Sequence, residues 1–169
     1  MSIAESLLTE YDQEMTLTRR LLERVPMDRA SWKPHEKSMT LGRLASHVAE
    51  NTEWALKGCT LDELDVAPPG SPPPQRRTYG SVEELLAVFD RHVRDSRAAI
   101  AATTDEAFAR PWVLKAGGVV RLTMTKASVV RTWGLNHMIH HRGQLTVYLR
   151  LNDVPLPGIY GPSADSAGG

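Results

Sequence analysis

The chain has 169 residues, 41% hydrophobic and 24% charged, which suits one soluble globular domain with a real core. Lys+Arg and Asp+Glu both number 20, so there is no basic surplus to hold a phosphate backbone, and nucleic acid is not expected as a partner. The single cysteine, Cys59, excludes an internal disulfide.

The first segment, "MSIAESLLTEYDQEM", lacks the basic head and apolar run of a signal peptide, and no apolar run reaches the roughly 18 residues of a membrane helix. The expectation is a cytoplasmic protein without a membrane partner. Ser2 and Glu5 form a capping-box pattern that opens a helix running to about Arg24. Ile3, Leu7, Tyr11, Met15, Thr18, Leu21, Leu22 and Val25 mark its inward face, and Pro26 ends it. "MDRASWKPHEKSMT" reads as a loop whose Trp32, Pro34 and Met39 can pack over one end of a bundle.

A second helix starts at Thr40 as N-cap and ends near Lys57, with Gly58 as a left-handed stop. Its inward stripe is Leu41, Leu44, Val48, Asn51, Trp54 and Ala55, with His47 in the same stripe. Residues 59–80 are a long connection, because "APPGSPPPQRR" suits neither helix nor central strand. Such a length lets the helices on either side lie parallel. Cys59 reads either as a semi-buried loop thiol or as a reactive one.

A third helix opens with Ser81 and Glu84 as a second capping box and runs to about Ala102, with Val82, Leu85, Phe89, Val93, Ser96 and Ile100 on its apolar side. Val113-Leu114 and Val119–Leu122, flanking Gly117-Gly118, suggest a short hairpin. A fourth helix covers Lys126 to Leu151. The expected architecture is therefore all-α, a four-helix bundle with a long crossover between helices 2 and 3, built as one domain over residues 1–160. Residues 161–169 are expected to be a flexible tail.

The fourth helix carries "LNHMIHHRGQL", with His137, His140 and His141 in five residues. On a wheel of 100° per residue, Val130, Trp133, Gln144, Tyr148 and Leu151 fall within about 40° of His137, which puts that histidine at the centre of the inward face. His141 lies one turn on and about 40° away, and His140 about 60° to the other side. Two imidazoles at i, i+4 can reach one metal ion. His47, inward on another helix, is the candidate third ligand, and three nitrogens leave a position open for water or substrate. The alternative is three hydrogen-bonded core histidines, which leaves several buried ring nitrogens in need of partners. His140 is an alternative to His141 if the helix is rotated. His35 reads as an exposed loop residue, and His92 as a boundary residue at the edge of the apolar face of its helix, with lining the pocket as the alternative. Gln144 and Asn51, one turn beyond candidate ligands, read as orienting groups or as polar core residues.

With these residues in view, the chain resembles the DinB-like superfamily of damage-inducible and thiol-transferase-like proteins. The resemblance rests on "WKPHEKSMTLGRLASHVAENTEW" and on "NHMIHHRGQLTVYLRLNDVPLPGIYGPSAD", with its H-x-x-x-H followed by Arg-Gly-Gln. It implies an up-down-down-up four-helix bundle, a divalent metal held by His47, His137 and His141, and a homodimer. Characterised relatives include transferases and isomerases that use a low-molecular-weight thiol such as bacillithiol, mycothiol or glutathione. The expected function is a metal-dependent enzyme that activates such a thiol, or a water, toward a small-molecule substrate. The alternative is a non-enzymatic metal-binding, stress-response or scaffold protein. Zn, Ni and Fe all suit imidazole ligands. No Glu or Asp stands beside the first histidine as a hydrolytic base. Arg142, Arg76 and Arg77 are candidates to receive a carboxylate of the thiol. Catalytic residues are not assigned.

Overall fold

The computed structural model describes residues 1–72 and 75–166. Helix α1, Ile3–Leu22, opens on the expected capping box: Ser2 Oγ accepts from the Glu5 N–H at 3.2 Å, and Glu5 returns a carboxylate oxygen to the Ser2 N–H at 2.8 Å. Its buried face repeats every three to four residues through Leu7, Tyr11, Met15, Thr18, Leu21 and Leu22. Glu14 is buried on the same face, which the apolar pattern does not foretell. After a single 3₁₀ turn at Met27–Arg29, Trp32 packs edge-on against Tyr148, with ring centroids 5.6 Å apart. The Tyr148 hydroxyl donates to the Met39 carbonyl at 3.2 Å and holds this loop over the helices.

The expected second helix is two. Helix α2, Leu41–Asn51, and helix α3, Glu53–Thr60, meet at Thr52. The cause comes from across the core. The Ser96 hydroxyl donates to the Thr52 carbonyl at 2.8 Å and accepts from the Leu56 N–H at 3.2 Å, so it stands in the rung those two groups would otherwise share. Gly58 lies inside α3 and is not a left-handed stop; among the described residues positive φ occurs only at Gly70, Gly117, Gly118 and Asp153. Its role is close approach, since a Cβ there would stand 2.8 Å from Val129 Cγ1.

Helix α4, Val82–Ala102, has Ser81 as its cap, but only half of the expected box forms: Glu84 accepts from the Gly80 N–H. A short helix α5, Asp105–Ala109, leads into a sheet that corrects the all-α expectation. Strands β1, Glu63–Asp65, β2, Pro111–Ala116, and β3, Val119–Thr125, lie in that order, β1 parallel and β3 antiparallel to β2. The β2–β3 hairpin turns at Gly117 and Gly118 (φ 66° and 76°), which a mirror-image two-residue turn requires. Asp65 accepts from both glycine N–H groups and ties β1 to that turn. The three-residue β1 lies within the expected connection. It is too short to show a period, and only its pairing with β2 defines it.

The last helical rod begins with α6, Lys126–Val129, passes through a π-helical segment, Val130–Asn136, and continues as α7, His137–Arg150. Helix α1 packs on α4, α2 on both α4 and α7, and α3 on α4 and the π segment. Gly134 allows that last approach: a Cβ there would meet Ala55 Cβ at 3.0 Å. The architecture is mainly helical with a small three-stranded sheet. Of the expected tail, residues 161–166 bond back to the chain, with Asp165 accepting from Arg150 and from the Leu156 N–H, while 167–169 lie outside the described residues. Among the described residues no helix is long and apolar enough to cross a membrane.

Candidate metal centre

Helix α7 does not bury the face that an ideal wheel selects. Its buried residues are Met138, Arg142, Leu145 and Leu149, continued upstream by Leu135. Leu151, expected inward, is 57% exposed, and Gln144 is exposed as well. His137 and His141 therefore stand beside the core stripe, half-buried, rather than at its centre. Two physical causes account for this. The π segment widens the turn before His137 and breaks the 100° phase from Val130 and Trp133. The core also admits Arg142, because Glu14 on α1 neutralises it: their side chains, 2% and 6% exposed, form a 2.6 Å ion pair.

Helix α2 packs on α7 and brings His47 to the other two histidines. One ligand atom from each of His47, His137 and His141 lies within 4.8 Å of the others. Ring centroids are 5.4 Å apart for His47 and His137, 4.5 Å for His47 and His141, and 4.7 Å for His137 and His141. The Nε2 atoms of His137 and His141 face each other at 2.9 Å. Gln144 Oε1 accepts from His141 Nδ1 at 2.7 Å, which puts the ring proton on Nδ1 and leaves Nε2 with its lone pair.

Electrostatics keep the cluster neutral. Burial, the His141 ring and the Arg43 guanidinium hold the His47 pKa down at about 4. Burial, followed by the neighbouring histidines, also lowers His137; burial lowers His141, against the opposing effect of Gln144. Neutral imidazole is the ligating form, so the three rings present nitrogen lone pairs at pH 7. His137 Nδ1 is buried without a hydrogen-bond partner. Three converging neutral nitrogens, one with its tautomer set, fit a divalent ion that accepts imidazole ligands.

The surrounding residues limit the chemistry. Arg43, His47 and Glu50 share one face of α2; the guanidinium lies 3.4 Å from His47 Nδ1 and donates to Glu50 at 2.9 Å. Glu50 is thus engaged by a cation rather than free as a base. Its i, i+3 relation to His47, and that of Arg43 at i−4, was legible in the sequence but carried no motif. His140 is exposed and lies outside the triad, its ring 4.9 Å from that of His141. His92 lines a cavity beside His47, with Nδ1 3.4 Å from the Ala49 carbonyl. His35 is an exposed loop residue whose Nδ1 accepts from the Lys37 N–H. Cys59 is half-buried within α3, and burial pushes its thiol pKa up, against activation. Arg142 is committed to Glu14, Thr18 and Tyr160 and does not receive a substrate carboxylate. Arg76 and Arg77, by contrast, line the cavity that His47 shares.

A family model described as the DinB superfamily matches residues 10–145. Among solved structures, a DinB-like protein from Bacillus cereus ATCC 10987 is similar, with 21% identity, a TM-score of 0.72 and coverage of 92% of this chain and 97% of that one. A DinB-like protein from Bacillus subtilis has 18% identity and a TM-score of 0.66, covering 94% and 99% respectively. At these identities the likeness is one of fold. No functionally curated protein matches the chain.

Proposed function

The chain belongs to the DinB superfamily, and from that premise we propose that it is a metal-dependent enzyme of the thiol S-transferase type. The observation that carries the reading is the convergence of His47, His137 and His141, held neutral and half-open to solvent. These three side chains would hold the divalent ion, of the Zn, Ni or Fe class. Once bound, such an ion supplies Lewis acidity that lowers the pKa of a coordinated thiol or water. Gln144 keeps the His141 proton on Nδ1, and the packing of α2 against α7 holds the two sides of the site together.

Thiol transfer is favoured over hydrolysis by the state of the nearby carboxylate: Glu50 is paired with Arg43 and so is not free to deprotonate a water. Catalysis is favoured over a scaffold role by the adjoining cavity of about 420 Å³, which offers a small molecule a place beside His47. The reading includes a single domain with the helical segments arranged as an up-down-down-up bundle, a cytoplasmic setting and a homodimer.

The test is metal content by mass spectrometry of protein purified without chelator, beside His137→Ala. About one ion per chain, lost in the variant, is the expected result, followed by a screen of thiols against epoxides, halides and activated rings. Wild-type protein that takes up no metal even on reconstitution would sink the proposal.

A further inference from the structure

His47, Trp54, Tyr79 and His92 bring four aromatic rings to the cavity beside the triad, from α2, α3, the long connection and α4. All four residues are half-buried, so each keeps part of its surface open. Trp54 is the largest of them. The apolar pattern of its helix points it inward, but the packing leaves no room there. The next residue, Ala55, stands against Gly134, where a Cβ would meet the Ala55 Cβ at 3.0 Å, and no indole fits between backbones that close. Trp54 and Trp133, the residues just before Ala55 and Gly134, lie beside that contact with ring centroids 5.1 Å apart.

The Trp54 indole is braced from behind and open in front. Trp112, fully buried on β2, completes the cluster at 6.4 Å from Trp54 and 5.6 Å from Trp133. Its Nε1–H donates to the Lys57 carbonyl at 3.3 Å, which ties the cluster to α3. On the open side, the Lys57 ammonium stands over the Trp54 ring, 5.6 Å from its centroid, and Lys57 lines the same cavity. The indole therefore turns a π face, and not only an edge, to the open space. Because that face is already held in place, a molecule that stacks on it meets little ordering cost.

Shape and charge select the occupant. The cavity, about 420 Å³, is of the size that holds a small organic molecule. Indole and phenol faces are electron-rich, whereas Arg76, Arg77 and Lys57 make the surround cationic. A planar ring with electron-withdrawing substituents suits both. Its depleted face stacks on the indole, and the density drawn out to its substituents meets the cations. An electron-rich ring would set two negative faces together, and a saturated ring has no face to offer.

We infer that this cavity is a stacking subsite for a planar, electron-poor aromatic ring, with Trp54 as the platform and Tyr79 beside it. The subsite rests on the cavity alone. That the ring is the electrophile rests on the metal-enzyme reading above. In that reaction the thiolate sulfur bonds to the ring carbon that carries a halide, the carbon–halogen bond breaks, and the halide leaves with its electron pair, the thiol proton having passed to solvent.

The experiment is a ¹⁵N NMR titration of metal-free protein with 1,3-dinitrobenzene, which carries no halide and so binds without transfer. The chain has four tryptophans, whose indole N–H groups give four reporters. Dinitrobenzene should move the Trp54 indole resonance saturably and leave in place that of Trp32, which packs on Tyr148 outside the cavity. Nitrocyclohexane and 1,3-dimethoxybenzene should each bind about tenfold more weakly. Trp54→Leu should weaken dinitrobenzene binding about tenfold, read at the Tyr79 backbone amide, and Trp54→Phe, which restores an aromatic face, should recover most of it. An unmoved Trp54 resonance, either control bound as tightly as dinitrobenzene, or full binding by Trp54→Leu would overturn the proposal. The wild-type titration and its two controls decide the matter even where Trp54→Leu does not fold. Since no metal is present, failure here leaves the histidine centre as proposed, and a protein that takes up no metal can still bind the ring.

Discussion

Glu14 on α1 and Arg142 on α7 form a 2.6 Å ion pair inside the core, and the Tyr160 hydroxyl donates to the Glu14 carboxylate and accepts from Arg142 Nη2 at 2.6 Å. This triad ties the first helix, the histidine-bearing helix and the C-terminal segment together. Removing one partner strands a buried charge. Glu14→Ala should therefore cost about 3–5 kcal/mol in urea unfolding, whereas Glu14→Leu with Arg142→Met should recover most of that loss. A double variant no more stable than Glu14→Ala would show that the pair is not the source of the effect.

Gln144 bonds His141 Nδ1, and through that ring it would act on a metal held at the triad. Without its carbonyl, the ring is free to adopt the tautomer that blocks Nε2. Gln144→Ala should lower zinc affinity about tenfold to a hundredfold in a competition titration with a chromophoric chelator. Its thermal midpoint without metal should barely move, because Gln144 is exposed.

The histidine cluster makes the metal-free protein sensitive to acid. In the unfolded chain His47 takes up its proton near pH 6.5, and in the folded protein only near 4. Between those values the unfolded state binds more protons, so stability falls as pH falls from about 6.5 to about 4. His137 and His141 shift in the same direction and add to the slope. Denaturant midpoints of chelator-treated protein across that window should show the decline, and His47→Gln should flatten it. A midpoint that rises on acidification would contradict the sign.

Gly58 is a contact glycine. A methyl group there would stand 2.8 Å from Val129 Cγ1, on a stiff β-branched side chain at the start of the last helical rod. Gly58→Ala should cost about 1–3 kcal/mol of stability by chemical denaturation despite the better helix propensity of alanine. If Gly58 were instead a free helical position, the same change would stabilise the protein.

Local rules read several elements directly. The Ser2 and Ser81 caps, the Gly117-Gly118 turn and the i, i+4 pair His137 and His141 all depend on groups a few residues apart, so their chemistry is visible in the linear chain. His47 was legible as a third candidate because it shares a stripe with the apolar residues of its own helix.

Phase and partnership were decided only by the tertiary structure. The Ser96 hydroxyl splits the second helix at Thr52, Glu14 brings Arg142 into the core, and the π segment resets the face that α7 buries. Each effect comes from a group distant in sequence or from a change in helix pitch, and no periodicity within one segment records it. By itself the sequence determined which helices carry imidazoles and at what spacing. The packing of α2 on α7, which offsets the cost of gathering three half-buried rings, decided that those imidazoles meet, and how open to solvent they remain.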